Sequence, residues 1–185
     1  MATQLQTKLN SALGTNAAGE QVLNVQIDGS GDANSYQMWI GPTNFGWSGG
    51  ASGALTIASG GVHPDVINSN ILAEFDVLYK NLGLSLYLDS ITLYYNTNAS
   101  GDDFDFRIRK FDLAGSSTAV VEEDNIGNGS TGAGSIVLTS ANADTWPTDG
   151  EIDIAKPHYI IVDINNTDVN TDVIFYGAMV KGHFA

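Results

Sequence analysis

The stretch Leu84-Ser-Leu-Tyr-Leu-Asp-Ser-Ile-Thr-Leu-Tyr-Tyr-Asn-Thr-Asn-Ala-Ser-Gly-Asp-Asp-Phe-Asp-Phe-Arg-Ile-Arg109 decides the fold class. Its first half alternates, with Leu86, Leu88, Ile91, Leu93 and Tyr95 as core candidates. The parity of that alternation switches at Asp89-Ser90, where one extra residue in a strand makes a bulge or bend. The polar run from Asn96 to Asp103 is a hairpin-type loop. Beyond it, Phe104, Phe106, Ile108 and Lys110 share one face of a second strand, and Arg107, Arg109 and Phe111 take the other.

Towards the C-terminus the same signal recurs at Ala119–Glu123, Ser135–Leu138, Glu151–Ile154, Tyr159–Ile164 and Val173–Lys181, with Gly, Asn, Asp and Ser in the turns. Towards the N-terminus, 67–82 is ambiguous. Ile67, Ile71, Leu72, Phe75, Leu78, Tyr79 and Leu82 fit a helical arc, whereas Ile71, Ala73, Phe75, Val77 and Tyr79 alternate as a strand. The β-branched and aromatic content favours a strand over 71–79. Gly41 to Gly61 is rich in Gly, Ser and Ala but carries Phe45 and Trp47, so it is expected to be ordered by packing. Tyr36–Ile40 and Gln21–Ile27 are short strands. Short strands at regular spacing, with no βαβ alternation and no internal repeat, predict a mainly β chain: an antiparallel β-sandwich of jelly-roll type.

The first twenty residues read differently. Leu5, Leu9 and Leu13 recur every fourth residue, and Gly14 follows as a stop. This predicts a short N-terminal helical arm over 1–20, preceding a sandwich domain over 21–185. So short a helix is marginal alone, so the leucine stripe packs on its own domain or docks on a partner.

Composition narrows the function. The chain has 185 residues, enough for one domain with an arm, and carries 7 Lys+Arg against 21 Asp+Glu, a formal charge of −14. Binding a polyanion relies on cations that displace counterions, so direct nucleic-acid contact and docking on an anionic membrane are disfavoured. There is no Cys, which removes thiol catalysis, disulfides and Cys-ligated metals. Met1-Ala2-Thr3-Gln4-Leu5 lacks the basic and apolar regions of a signal peptide, and no apolar run reaches membrane-spanning length. The expectation is synthesis in the host cytoplasm without classical export. The sequons at Asn98, Asn128 and Asn165 are then chance matches in an Asn-rich chain.

No phosphate-binding loop, nucleophile elbow or zinc-helix motif occurs. The three histidines, His63, His158 and His183, are not spaced for ligation on one element. The two loops with alternating oxygen ligands, starting at Asp28 and Asn96, place Trp39 and Arg107 where a calcium loop needs its bidentate acid. No catalytic residue, metal or cofactor is therefore assigned. The aromatics Tyr36, Trp39, Trp47, Tyr94, Tyr95 and Trp146 offer faces for a sugar. Phe45, Trp47 and Trp146 fall in loops, and are the candidates for exposure to a glycan or a protein partner. Arg107, Arg109 and Lys110 hold three of the seven cationic side chains. They pair with neighbouring acids within the sheet or contact an acidic partner.

Three segments carry a resemblance: Leu88-Asp-Ser-Ile-Thr-Leu-Tyr-Tyr with Gly101-Asp-Asp-Phe-Asp-Phe-Arg-Ile, His158-Tyr-Ile-Ile-Val-Asp-Ile, and Val173-Ile-Phe-Tyr-Gly-Ala-Met-Val-Lys-Gly-His-Phe. Over the C-terminal half, the chain resembles the small β-sandwich structural proteins of bacteriophage virions, which sit on capsid surfaces, head fibres and tail appendages. The resemblance implies a non-enzymatic capsid auxiliary or decoration protein on the outer surface of the head. Its partners would be the major capsid protein and sister copies, a trimer among the options. The alternative is a glycan- or receptor-binding module of a head fibre or tail; a cryptic hydrolase ranks below both. An anionic chain suits the outside of a DNA-filled shell.

Overall fold

The computed structural model describes residues 13–15, 21–23, 35–50, 55–58, 60–64, 69–75, 84–99, 101–112, 114–153, 156–165 and 173–185. The chain divides into two compact units, Met1–Ala33 and Asn34–Ala185. In the first, β1 (Leu13–Thr15) pairs antiparallel with β2 (Gln21–Leu23). Leu13 therefore stands in a strand and does not close a helix. Gly14 and the β-branched Thr15 beside it are poor helix formers, and in the strand they lie opposite Val22 and Gln21. Leu5 and Leu9, and with them the rest of the expected helix, lie outside the described residues.

The second unit holds β3 (Ser35–Ile40), β4 (Gly46–Gly50), β5 (Leu55–Ala58), β6 (Gly61–Pro64), β7 (Ser69–Phe75), β8 (Leu86–Thr97), β9 (Asp103–Phe111), β10 (Ser117–Ile126), β11 (Gly132–Leu138), β12 (Glu151–Ile152), β13 (His158–Asn165) and β14 (Ile174–Phe184). Two single-turn 3-10 helices, Pro42–Asn44 and Thr148–Gly150, interrupt them. One sheet has five strands in the order β10-β9-β13-β7-β4. The other has seven: β11-β8-β14-β6-β5, with β12 also on β8 and β3 also on β14. All the pairings are antiparallel. The chain is mainly β, and its two sheets share one apolar core.

Alternation builds that core. Phe104, Phe106 and Ile108 of β9, Ile160, Val162 and Ile164 of β13, and Ile71, Ala73 and Phe75 of β7 point inward from the five-stranded sheet. Leu86, Leu88, Ile91 and Leu93 of β8 and Phe175, Ala178 and Val180 of β14 face them. The Phe104 and Phe175 rings meet across the layers at 5.7 Å, and Tyr95 sets its ring edge-on to Phe104 at 5.1 Å. Such edge-to-face pairs add about 0.5–1.5 kcal/mol to the burial itself.

The parity switch in β8 is a bulge. Lys181 lies opposite Ser90 and Gly182 opposite Leu88, so Asp89 is the extra residue and stays exposed. A second shift on β14 leaves Tyr176 unpaired between Phe175–Tyr95 and Gly177–Tyr94. Gly177 there has φ of 129°, and a Cβ would collide with the Ile40 carbonyl and the Trp39 ring, so only glycine fits. Of the ambiguous segment, Ser69–Phe75 is strand β7, between β13 and β4; 76–83 lie outside the described residues.

Candidate functional site

The outward sides of the two sheets differ in chemistry. On the five-stranded sheet, Arg107 of β9 stands among four carboxylates: Asp105 on its own strand, Glu122 and Asp124 on β10, and Asp163 on β13. Its Nη2 lies 3.2 Å from Asp105 and 2.9 Å from Asp124. Register explains the gathering: Arg107 is opposite Glu122 on one side and Ile161 on the other, and Asp163 is opposite Asp105. Burial works against the Arg107 charge, and the four acids more than offset it, leaving its pKa above the ordinary value. Burial also pushes the Asp163 carboxyl above its usual range, with Arg107 pulling it back. Glu123 and Asp124 are raised by burial as well. The four acids and Arg107 sum to −3, so this is an anionic surface whose one central cation is consumed internally.

The outward side of the seven-stranded sheet is aromatic and nearly uncharged at its centre. Register lines up Trp39 (β3), Met179 (β14), Thr92 (β8) and Val137 (β11) in one row. Trp39 and Val137 are each 48% exposed, and Tyr94, on β8 beside the row, is 38% exposed. The Trp39 and Tyr94 rings meet at 5.7 Å, inclined by 62°. Glycine at 177 lets the indole lie against the sheet. Charge appears next to the row at exposed Lys181, opposite Gln37 and Ser90, and further along the face, where His183 Nδ1 is 2.9 Å from Asp89 and the imidazole stacks on Tyr87.

Between β10, the edge strand of its sheet, and β12 lies a cleft of about 550 Å³. Lys110, Thr118, Trp146, Glu151 and Asp153 line it, with Val120 and Pro147 among the apolar contributors. Its wall is the loop between β11 and β12, which leaves the seven-stranded sheet, touches β10 and returns. Thr145 exchanges both backbone hydrogen bonds with Glu122 at 3.0 Å. Asp144 N–H donates to the Glu123 carboxylate at 3.1 Å, and Asp124 N–H donates to Asp144 at 3.3 Å. A tight turn follows, closed by Gly150 N–H to Pro147 O at 2.8 Å with Asp149 at φ 56°, the left-handed conformation of the third residue of a type II turn.

The residues singled out from sequence fall as follows. Phe45, expected to be exposed in a loop, is buried at 6% exposure, edge-on to Phe175 at 5.2 Å. The turn at Pro42–Asn44, tied by Gly41 N–H to Asn44 Oδ1 at 3.1 Å, aims it inward. Trp47 belongs to β4, opposite Ile71 on β7, rather than to a loop. Trp146 is half-buried and packs against the core while lining the cleft. Arg107 is engaged within the sheet, Arg109 donates to Ser117 Oγ at 3.2 Å, and Lys110 reaches the cleft. The three basic residues therefore do not form one patch. Of the sugar-facing aromatics, Tyr36 is buried and Trp39 and Tyr94 are exposed. Trp39 and Tyr94 were weighed in the sequence only among several aromatics; strand parity, which puts them opposite the buried Ile40 and Leu93, was the signal that ranks them first.

His63 stands on β6, His158 on β13 and His183 on β14, and the cleft contains no histidine. Buried His158 donates its Nδ1–H to the Lys156 carbonyl oxygen, 2.9 Å away. Among the described residues, no group of three or more His, Asp or Glu is arranged to hold a metal ion. Asp102, part of the loop weighed for calcium, turns its carboxylate back to accept the Ala99 N–H at 3.0 Å. No described helix is long and apolar enough to cross a membrane.

No protein-family model matches the chain, and no curated protein matches it. Among solved structures, it is similar to the C-terminal family 22 carbohydrate-binding module of Clostridium thermocellum Xyn10B. The TM-score is 0.37 and the identity 10%, covering 77% of this chain and 85% of that one. It is also similar to a chain of infectious bursal disease virus, Gx strain, with a TM-score of 0.36 and 14% identity, covering 80% of this chain and 31% of that one. At these TM-scores neither likeness carries a functional assignment.

Proposed function

We propose that this chain is a non-enzymatic structural protein of a bacteriophage virion, an auxiliary or decoration protein that docks on the outer surface of the head shell through the outward side of its seven-stranded sheet. The observation that carries the reading is the contrast between the two outward faces. One holds exposed Trp39, Tyr94 and Val137 around half-buried Met179, with no charge among these four. The other presents carboxylates whose central cation is already spoken for. Aromatic and Met side chains are enriched where proteins meet, and charged ones are depleted at the centre of such contacts. An anionic face turned outward keeps many copies soluble and apart before and after assembly. Sister copies on the shell and the segment over 1–20, with Leu5 and Leu9, extend the same reading: additive attachment over many copies, each burying modest area.

Co-sedimentation with purified head shells of the encoding phage tests it. The full chain should pellet with shells, and the double variant Trp39→Ser with Met179→Ser should lose at least about tenfold in affinity, the scale of one hot-spot residue or more. Equal pelleting of that variant refutes the face. Loss confined to a chain lacking 1–14 would move docking to the N-terminal segment. No pelleting of the unaltered chain refutes the virion assignment.

A further inference from the structure

We infer that the cleft between β10 and β12 is a binding site for a neutral saccharide, separate from the docking face. Its size lies in the ~300–1,000 Å³ range of small-molecule sites, with room for more than one sugar ring. Its chemistry selects the ligand class. Trp146 supplies an aromatic wall for the C–H face of a pyranose, and Glu151 and Asp153 supply acceptors for hydroxyl pairs. Lys110 and the Thr118 and Thr148 hydroxyls supply donors. One cation against two carboxylates repels phosphate, sulfate and other anions, and the polar lining is a poor match for a purely apolar ligand.

The site is also built before any ligand arrives. Trp146 follows Thr145, which is clamped to β10 by two backbone hydrogen bonds at 3.0 Å, and precedes the turn closed from Gly150 to Pro147. One Glu151 oxygen is held by the Ser85 hydroxyl at 2.6 Å, which orients the carboxylate and leaves the other oxygen for a sugar hydroxyl. The left-handed Asp149, one of two described non-glycine residues with positive φ, is strain that this wall retains. A wall fixed in this way loses little entropy on binding.

The test is titration of the full chain with maltohexaose, cellohexaose and N-acetylchitohexaose, read by calorimetry and tryptophan fluorescence, with sulfated dextran as the anionic comparison. Saturable binding of at least one neutral probe is expected. Trp146→Ala should weaken it about tenfold or more, as loss of one stacked ring does. Asp153→Asn should weaken it severalfold, and Trp39→Ala should leave it unchanged. If Trp146→Ala lowers the melting midpoint enough to unfold the chain, Asp153→Asn and Trp146→Phe decide. No saturable response to any neutral probe, a response to sulfated dextran alone, or binding indifferent to these cleft variants overturns the inference. Reducing-end release by the chain would overturn the non-enzymatic reading above while leaving the saccharide site standing. Absence of shell binding by the unaltered chain, with intact sugar binding, would sink the virion reading and leave the saccharide site standing.

Discussion

Replacing Arg107 by Met keeps most of the aliphatic stem and removes the charge from the centre of four carboxylates. The side chain of Arg107 is 14% exposed, and its partners range from 18% at Asp105 to 42% at Asp124. Breaking a buried ion pair costs about 3–5 kcal/mol, because the stranded charge stays desolvated. Exposed pairs contribute about 0–1 kcal/mol. With partners a fifth to two fifths exposed, the expected loss is about 2–3 kcal/mol at neutral pH. For a chain of this size that lowers the melting midpoint by about 4–12 °C. The loss has a signature. Without the guanidinium, the four carboxylates repel one another, and Asp124 and Asp163, already raised by burial and held down by Arg107, rise further above their unfolded values. The folded variant then binds more protons than its unfolded state, so its stability climbs as pH falls. Urea unfolding at about pH 7 and about pH 5 should show at least half of the deficit recovered at the lower pH. A deficit below about 0.5 kcal/mol at neutral pH, or one unchanged by acidification, would refute the account of this face as a lattice held by one cation.

Other outcomes follow from the same structure. Asp163 has a folded-state pKa raised by burial, so in the unaltered chain its ionisation costs stability as pH rises from the ordinary carboxylate range through that raised value. Asp163→Asn should flatten the stability profile over that window, measured by melting midpoint against pH; an unchanged slope would count against it. Gly177→Ala forces a side chain into φ of 129° against the Ile40 carbonyl and the Trp39 ring. It should cost about 2–4 kcal/mol and raise Trp39 solvent accessibility in fluorescence quenching, whereas a near-neutral change would show that the strand can shift. Phe104→Ala removes a fully buried ring in contact with Tyr95 and Phe175 and should cost about 3–5 kcal/mol in denaturant unfolding. A loss under about 1 kcal/mol would mean that the interlayer core repacks around the gap.

The strand pattern was legible because a half-buried strand repeats every two residues. Phe104, Phe106 and Ile108 face inward as their spacing predicts, and the parity switch at Asp89-Ser90 marks the bulge. The segment at Phe45 and Trp47 misleads for the same reason that it is Gly-rich: it lacks a periodic neighbour to set its face. Only the turn at Pro42–Asn44 directs Phe45 onto Phe175. Leu13 shows the weakness of a three-leucine spacing, which fits a helix yet stands in a strand once Leu23 lies opposite it.

Local alternation, turn residues and charge were enough to establish a mainly β, strongly acidic chain and most of its strands, since each depends on neighbours within a few positions. Which strands adjoin was a tertiary decision. Arg107 meets Glu122 across 15 positions and Asp163 across 56. Trp39 rests over Gly177, and Lys110 shares a cleft with Trp146 and Glu151. Those adjacencies are selected by the joint packing of two sheets around one core. A pairing between strands distant in the chain costs loop-closure entropy whichever partner is chosen, and the buried area gained when every face is covered at once decides among them.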